Sequence, residues 1–286
     1  MIRREFIYDI ARGTLAAMAA PLFARADGGQ KTLPDISQLR QAVGKLLEIT
    51  PHNRMPGTET TIYDSPVFGV STAQDPIYLK LKEAVGPGHY VPEDLFRGAK
   101  SVISYFLPYT EAVRKANDGT EDALAQWSLA HRQGAFAAEL VRRFIAKRLD
   151  NLGARSLVVF HDGRYRTKTL VSNWSERHVA FISGLGTFGL HKSLITEKGC
   201  AGRLDSVITD YELAPTKRDY EGVYDRCINC YTCVGRCPVG AITKTGKDIR
   251  ACARHVLARK TDPEQAVCGK CLTQVPCEDC APARQS

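Results

Sequence analysis

The sequence predicts an α+β fold in two parts, on three observations. Strand-like and helix-like patterns alternate from about residue 31 to 215; glycines and charges concentrate in residues 172–191; nine of the ten cysteines come after residue 226. At 286 residues the chain is long enough for one or two domains of about 100–200 residues each. A hydrophobic share of 44% with 24% charged residues excludes the disordered and collagen-like classes. The net charge of +8 suits an acidic partner or a merely basic surface; the positive residues are scattered, which favours the second.

The cysteines carry the most specific signal. Cys227-Ile-Asn-Cys230-Tyr-Thr-Cys233-Val-Gly-Arg-Cys237-Pro238 is the C-x2-C-x2-C-x3-C-P run with which bacterial ferredoxins hold 4Fe-4S clusters. Three thiolates two residues apart fold round one cube, and the fourth, before a proline, points to another. A second set is therefore expected, and Cys252, Cys268, Cys271 and Cys277 follow, with Cys280 and Cys200 left over. Zinc ribbons also use paired C-x-x-C units, and an exported chain can be stapled by disulfides; neither needs the Cys-Pro. By analogy with two-cluster ferredoxins, Cys227, Cys230, Cys233 and Cys277 share one cluster, and Cys237, Cys252, Cys268 and Cys271 the other. Cys280 is the alternative to Cys277.

Residues 1–30 read as a twin-arginine export signal: Arg3-Arg4-Glu-Phe6-Ile7, a mildly apolar stretch, then Ala24-Arg25-Ala26 as an A-x-A cleavage site. The alternative is an amphipathic N-terminal helix, since Asp9 and Arg12 interrupt the stretch. The uncharged run is shorter than the ~18 residues a membrane span requires, so no permanent span is expected. The twin-arginine route carries folded proteins, so clusters inserted in the cytoplasm would survive export to the periplasm; a cytoplasmic location is the alternative.

Ile36, Leu39, Val43, Leu46 and Leu47 stand at helical spacing between Ile36 and Ile49, an amphipathic helix. From Pro51 to Pro92 the richness in Pro, Gly, Thr and Asp reads as long ordered loops. Ser101–Leu107, β-branched and aromatic and ended by Pro108, reads as a buried strand. Ala123–Leu152 is a long helix stopped at Gly153, Ser156–Phe160 a second strand and Asp205–Asp210 a third.

Between the last two strands, Glu176, Arg177 and His178 open an apolar helix and Gly184-x-Gly186-x-x-Gly189 follows it. The charged residues suit either mutual hydrogen bonding and capping or contact with a polar cofactor. The glycines match the dinucleotide fingerprint in spelling only, because that motif needs a strand before it and a helix after it. Close backbone approach to another large ligand is the use read here.

Glu176-Arg-His-Val-Ala180, Gly184-Leu-Gly-Thr-Phe-Gly-Leu190, Gly199–Arg203 and the double cysteine tail together resemble the epoxyqueuosine reductase and reductive dehalogenase superfamily, over most of residues 33–280. The resemblance implies a nitroreductase-like α/β domain that binds a cobalamin (31–215), followed by a ferredoxin-like domain with two 4Fe-4S clusters (216–286). It places the corrinoid against Ser172, Asn173, Glu176, Arg177, Gly184, Gly186 and Gly189. Electrons would come from a low-potential donor and pass through the clusters to a corrinoid that reduces a small or nucleoside-like substrate. Departures are plain: Leu170–Trp174 stands where epoxyqueuosine reductases carry an Asp-Thr-Gly-Pro segment, and their C-terminal tRNA-contacting extension is missing, so stable nucleic-acid binding is not expected. Reductive dehalogenases are much longer chains. His161, Asp162, Tyr165, Glu176 and His178 are the replacement proton donors by position. A ferredoxin-type electron carrier and a corrinoid-binding accessory protein are the competing functions, and flavin the competing occupant of the cavity.

Overall fold

The structure is a computed structural model that describes residues 35–119, 125–168, 170–258 and 267–283. The twin-arginine segment and its cleavage site lie outside the described residues. Among these, no helix is long and apolar enough to cross a membrane.

Helix α1 (Ile36–Ile49) is the helix the spacing predicts, burying Leu39, Val43, Leu46 and Leu47. Asp35 caps it, accepting the Ser37 N–H at 3.3 Å. The next stretch corrects the expectation of loops, because it holds strand β1 (Val67–Thr72), helix α2 (Ile77–Ala84) and the one-turn α3 (Pro92–Leu95). Gly69 hides the strand in the sequence. A Cβ there would lie 2.2 Å from the Ser183 carbonyl, so the residue must be bare to admit that chain.

Strand β2 (Ser101–Pro108) is buried at every position, which explains its continuous apolar run. It leads through α4 (Glu111–Lys115) to the long α5 (Ala125–Asn151), which ends before Gly153 at φ 79°. Strand β3 (Ser156–Val158) is shorter than expected, since Val159–His161 tightens into a 3-10 turn. A small hairpin, β4 (Thr167–Lys168) with β5 (Val171–Ser172), precedes α6 (Glu176–Ile182). A second hairpin, β6 (Gly186–Phe188) with β7 (Leu194–Thr196), follows, and β8 (Gly202–Thr209) is the third strand expected.

The main sheet has four strands in the order β1-β2-β8-β3, each pair antiparallel. The mixed α and β class is as expected, and the wholly antiparallel pairing makes it α+β. Alternate side chains of β2 and β8 serve two cores. Ile103, Tyr105, Leu107 and Val207 pack with α1 and α5, whereas Val102, Phe106 and Ile208 pack with α2 and α6. Each such fully buried aliphatic or aromatic side chain contributes roughly 1.5–3 kcal/mol.

The cysteine-rich residues form α7 (Thr232–Gly235), a hairpin of β9 (Ile242–Thr243) and β10 (Gly246–Lys247), and α8 (Ile249–Ala258). Their small core unites Cys233, Ile242, Val275 and Cys277 with Ile195 and Cys200 from before residue 216. Gly269, at φ 71°, lies against Trp127 of α5, where a Cβ would stand 2.3 Å from the indole. The tail is thereby seated on the long helix.

Candidate metal centre

The loop from Cys227 to Cys237 is bent by two residues in the left-handed region, Asn229 at φ 53° and Tyr231 at φ 60°. Each stands between two cysteines, and the turns bring successive thiols to one side. Cys237 lies at the loop's end, its sulfur accepting the Ala241 N–H at 3.2 Å. Cys252 rides on α8, whose start Asp248 caps through the Arg250 and Ala251 N–H groups at 2.9 and 3.0 Å. Cys271 sits in a 3-10 turn anchored by the buried Lys270, whose ammonium donates to the Asn117 and Gly119 carbonyls at 3.1 and 2.8 Å.

These turns sort the thiols into two groups. Cys227, Cys230, Cys233 and Cys277 line one pocket, bordered also by Leu190, His191 and Ile195. Burial pushes the Cys233 thiol up to about 12, and Cys271, Cys277, Cys230 and Cys227 add to the rise. Burial likewise pushes Cys271 up to about 11, with Lys247 opposing and Cys268, Cys252 and Cys237 reinforcing. The groups adjoin through Cys233 and Cys271. Cys280 is exposed, does not line the pocket, and donates weakly to the Pro276 carbonyl at 3.7 Å.

Cys277 is the most elaborately held thiol. Cys200 lies 3.9 Å from its sulfur and His191 Nε2 lies 3.5 Å away. The hydrogen bond from Cys200 and the neighbouring His191 hold Cys277 down at about 5, while the same contact and burial hold Cys200 well above its ordinary value.

The segment assigned to a corrinoid is occupied with the protein's own structure. A Cβ at Gly186 would lie 1.9 Å from the Ile195 carbonyl, one at Gly189 2.6 Å from His191 Nε2, and one at Gly184 3.0 Å from Thr216. On the side where a Cβ would stand, each of these glycines makes room for the chain itself. Ser172 donates to the Trp174 carbonyl at 2.6 Å, and Asn173 bonds Arg164 and Arg166 across the β4–β5 hairpin at 2.8 Å each. Arg177 differs: part of the side chain is exposed, but burial lowers its guanidinium, with the Cys271 and Cys252 thiols opposing.

The five residues considered as proton donors do not converge. Glu176 turns inward, and burial, with Asp205 adding, raises its carboxyl to about 8 while Ser206 and Arg142 oppose. Its Oε2 has no partner. Arg142 bonds Asp205 at 2.7 Å and Glu139 at 3.3 Å, and Glu139 meets His161 at 2.8 Å. His161 therefore bonds one end of a buried charged chain, and Glu176 feels the charges of Asp205 and Arg142 at the other end. Asp162 instead holds Arg164 at 2.6 Å, and Tyr165 packs near Phe160, ring centroids 6.1 Å apart. His178 bonds Ser175 Oγ at 2.8 Å, and burial depresses it to about 4. The buried chain, Cys200 and His191 escaped the sequence reading; only the bare Gly189 signalled that a side chain is seated there.

Comparison with known proteins bears on this geometry. Residues 220–243 match the 4Fe-4S binding domain family, and no curated protein matches the chain. Among solved structures, the catabolic reductive dehalogenase NpRdhA superposes with TM-score 0.54 at 16% identity, over 90% of this chain and 34% of that one. This chain shares the fold of the matched third of that protein. A second structure, of a reductive dehalogenase described with a mechanism for B12-dependent dehalogenation, gives TM-score 0.54 at 16% identity over 88% of this chain and 33% of that chain. Epoxyqueuosine reductase from Streptococcus thermophilus gives TM-score 0.46 at 15% identity, over 79% of this chain and 58% of that one. The chain thus spans about a third of the length of the dehalogenases it matches.

Proposed function

We propose that the protein is an iron–sulfur oxidoreductase with two 4Fe-4S clusters, one on Cys227, Cys230, Cys233 and Cys277 and the other on Cys237, Cys252, Cys268 and Cys271. One observation carries it: Cys277, remote in sequence, lines the same pocket as the first three cysteines of the ferredoxin run. Four thiols in one pocket with apolar residues such as Leu190, Ile195 and Val275 around them suit a cluster, which takes cysteinate ligands and gains from exclusion of water. The neighbours of Cys271 support the second set. The division into a nitroreductase-like part to residue 215 and a ferredoxin-like part beyond it belongs to the same proposal. Clusters in adjoining pockets would relay electrons from a low-potential donor to an acceptor.

Iron and acid-labile sulfide are measured on anaerobically reconstituted protein. About eight of each are expected, four per cube. A value near four removes the second cluster, and stoichiometric zinc without sulfide removes both.

A second reading makes the acceptor a corrinoid that reduces a small or nucleoside-like substrate, favoured by the fold shared with the B12-dependent dehalogenase structure. Ser172, Asn173, Glu176, Arg177, Gly184, Gly186 and Gly189 are the contacts proposed for it, alongside the bonds several of them make within the chain. Equilibrium binding of cobalamin to the two-cluster protein tests this reading; no binding leaves an electron carrier. Export is proposed from Arg3 and Arg4. Fractionation of the double lysine variant tests it: the wild type should leave the cytoplasm and the variant stay, and equal distribution refutes it.

A further inference from the structure

His191 has a seat built for it. It lies two residues past Gly189, and a Cβ on that glycine would stand 2.6 Å from its Nε2 and 2.8 Å from its Cε1. Its Nδ1 accepts the Ser193 backbone N–H at 3.0 Å. That nitrogen is therefore the bare one, and the ring N–H lies on Nε2. Nε2 points at the Cys277 sulfur, 3.5 Å away. The His191 carbonyl is itself held by the Lys247 ammonium at 3.2 Å, so ring and backbone are both located.

Cys200 approaches the same sulfur separately. Its thiol is 1% exposed and 3.9 Å from Cys277 Sγ. The approach is fixed by backbone, because the Cys200 N–H donates to the Cys277 carbonyl at 2.9 Å. Cys200 does not line the pocket; it stands behind Cys277. One sulfur of the proposed cluster thus has the His191 N–H aimed at it from outside the ligand set, and a Cys200 S–H shared between it and the Leu272 carbonyl, each at 3.9 Å.

We propose that His191, assisted by Cys200, sets the reduction potential of the cluster on Cys227, Cys230, Cys233 and Cys277, an inference that rests on the two-cluster reading above. The reduced cluster carries one more negative charge, spread partly over its cysteine sulfurs. An N–H or S–H donor to a ligand sulfur stabilises that charge and raises the potential. The contact is buried, so solvent does not dilute it. His191 bonds no thiol of the second set, so its effect falls on one of the two clusters; Cys200 also feels Cys271 of the second set, so its own effect is less selective. His191 is a positioning and tuning residue, not a ligand.

The test is an anaerobic redox titration of the full chain followed by electron paramagnetic resonance, with iron and sulfide counted in every sample. His191→Phe keeps a flat ring, somewhat larger, and removes the donor. It should retain about eight irons and lower the reduced-to-oxidised ratio of one cluster at least tenfold at fixed potential, a shift of about 59 mV for a one-electron couple. His191→Gln, which keeps an N–H, should recover most of the shift, and Cys200→Ala should give a smaller one in the same direction. Unchanged potentials at full iron content overturn the proposal, as does an equal shift in both clusters. If His191→Phe loses iron, Cys200→Ala decides, and an unshifted potential there overturns it. A wild-type protein without clusters would instead strike the reading on which the inference rests.

Discussion

Arg114 donates from Nε to the Glu278 carboxylate at 2.7 Å and from a terminal nitrogen to Asp279 at 3.0 Å. Its third bond, to the Tyr109 carbonyl at 2.7 Å, fixes it to the end of β2. The residue after Cys277 is thereby tied to the main sheet. Arg114 and Glu278 are largely buried, with side-chain exposures of 10% and 18%, so removing one partner leaves an uncompensated charge. Arg114→Leu should cost about 2–4 kcal/mol. Chemical denaturation reads the stability; iron content should fall with it because the Cys277 loop loses its anchor.

Cys277→Ala and Cys280→Ala separate the two end cysteines. The first should lose or convert one cluster, whereas the second should keep both, because Cys280 is exposed and off the pocket. Iron analysis and the low-temperature spectrum check this, and the reverse pattern would move the ligand to Cys280.

Glu176 should make stability fall as pH rises. Its folded value, raised to about 8 by burial with Asp205 adding, exceeds the ordinary carboxylate value. Its contribution is full below about pH 4 and is lost between there and pH 8, as the buried carboxyl is forced to ionise. Glu176→Gln keeps the shape without the charge. At pH 9 it should be more stable than the wild type by on the order of 3 kcal/mol, and near pH 4 the two should agree. Urea midpoints across that range measure the difference, and parallel profiles refute it.

Gly186→Ala should disrupt the β6–β7 hairpin, since its Cβ would meet the Ile195 carbonyl at 1.9 Å. A loss of about 2–4 kcal/mol is expected, read as a lower thermal midpoint without any ligand present. An unaffected midpoint would refute this packing role.

Much of this architecture was legible where local chemistry decides it. Leu39, Val43, Leu46 and Leu47 mark one helical face, and the run from Ser101 stays apolar because both its faces are buried. The strand at Val67 was hidden by Gly69, whose bareness answers to Ser183, more than a hundred residues away. The cysteine run disclosed its chemistry because ligand spacing is a local property. His191 and Cys200 did not, because their meeting with Cys277 depends on the β6–β7 hairpin and the following turn folding back onto the tail. Glu139 and Arg142 were likewise invisible as interior charges, since their partners His161 and Asp205 arrive from other elements.

The closure of the first pocket by Cys277 has a consequence for biosynthesis. Translation delivers Cys227, Cys230 and Cys233 together, and Cys277 only after the second set has followed. The main sheet, complete at Thr209, precedes them all. A growing chain therefore offers three thiols on a formed scaffold, Cys230 among them exposed, before the fourth wall has left the ribosome. Iron delivered in that interval would find an incomplete cradle open to oxidants, so cluster insertion belongs after emergence of the Cys277 loop, and ribosomes paused upstream of it would yield iron-poor nascent chains.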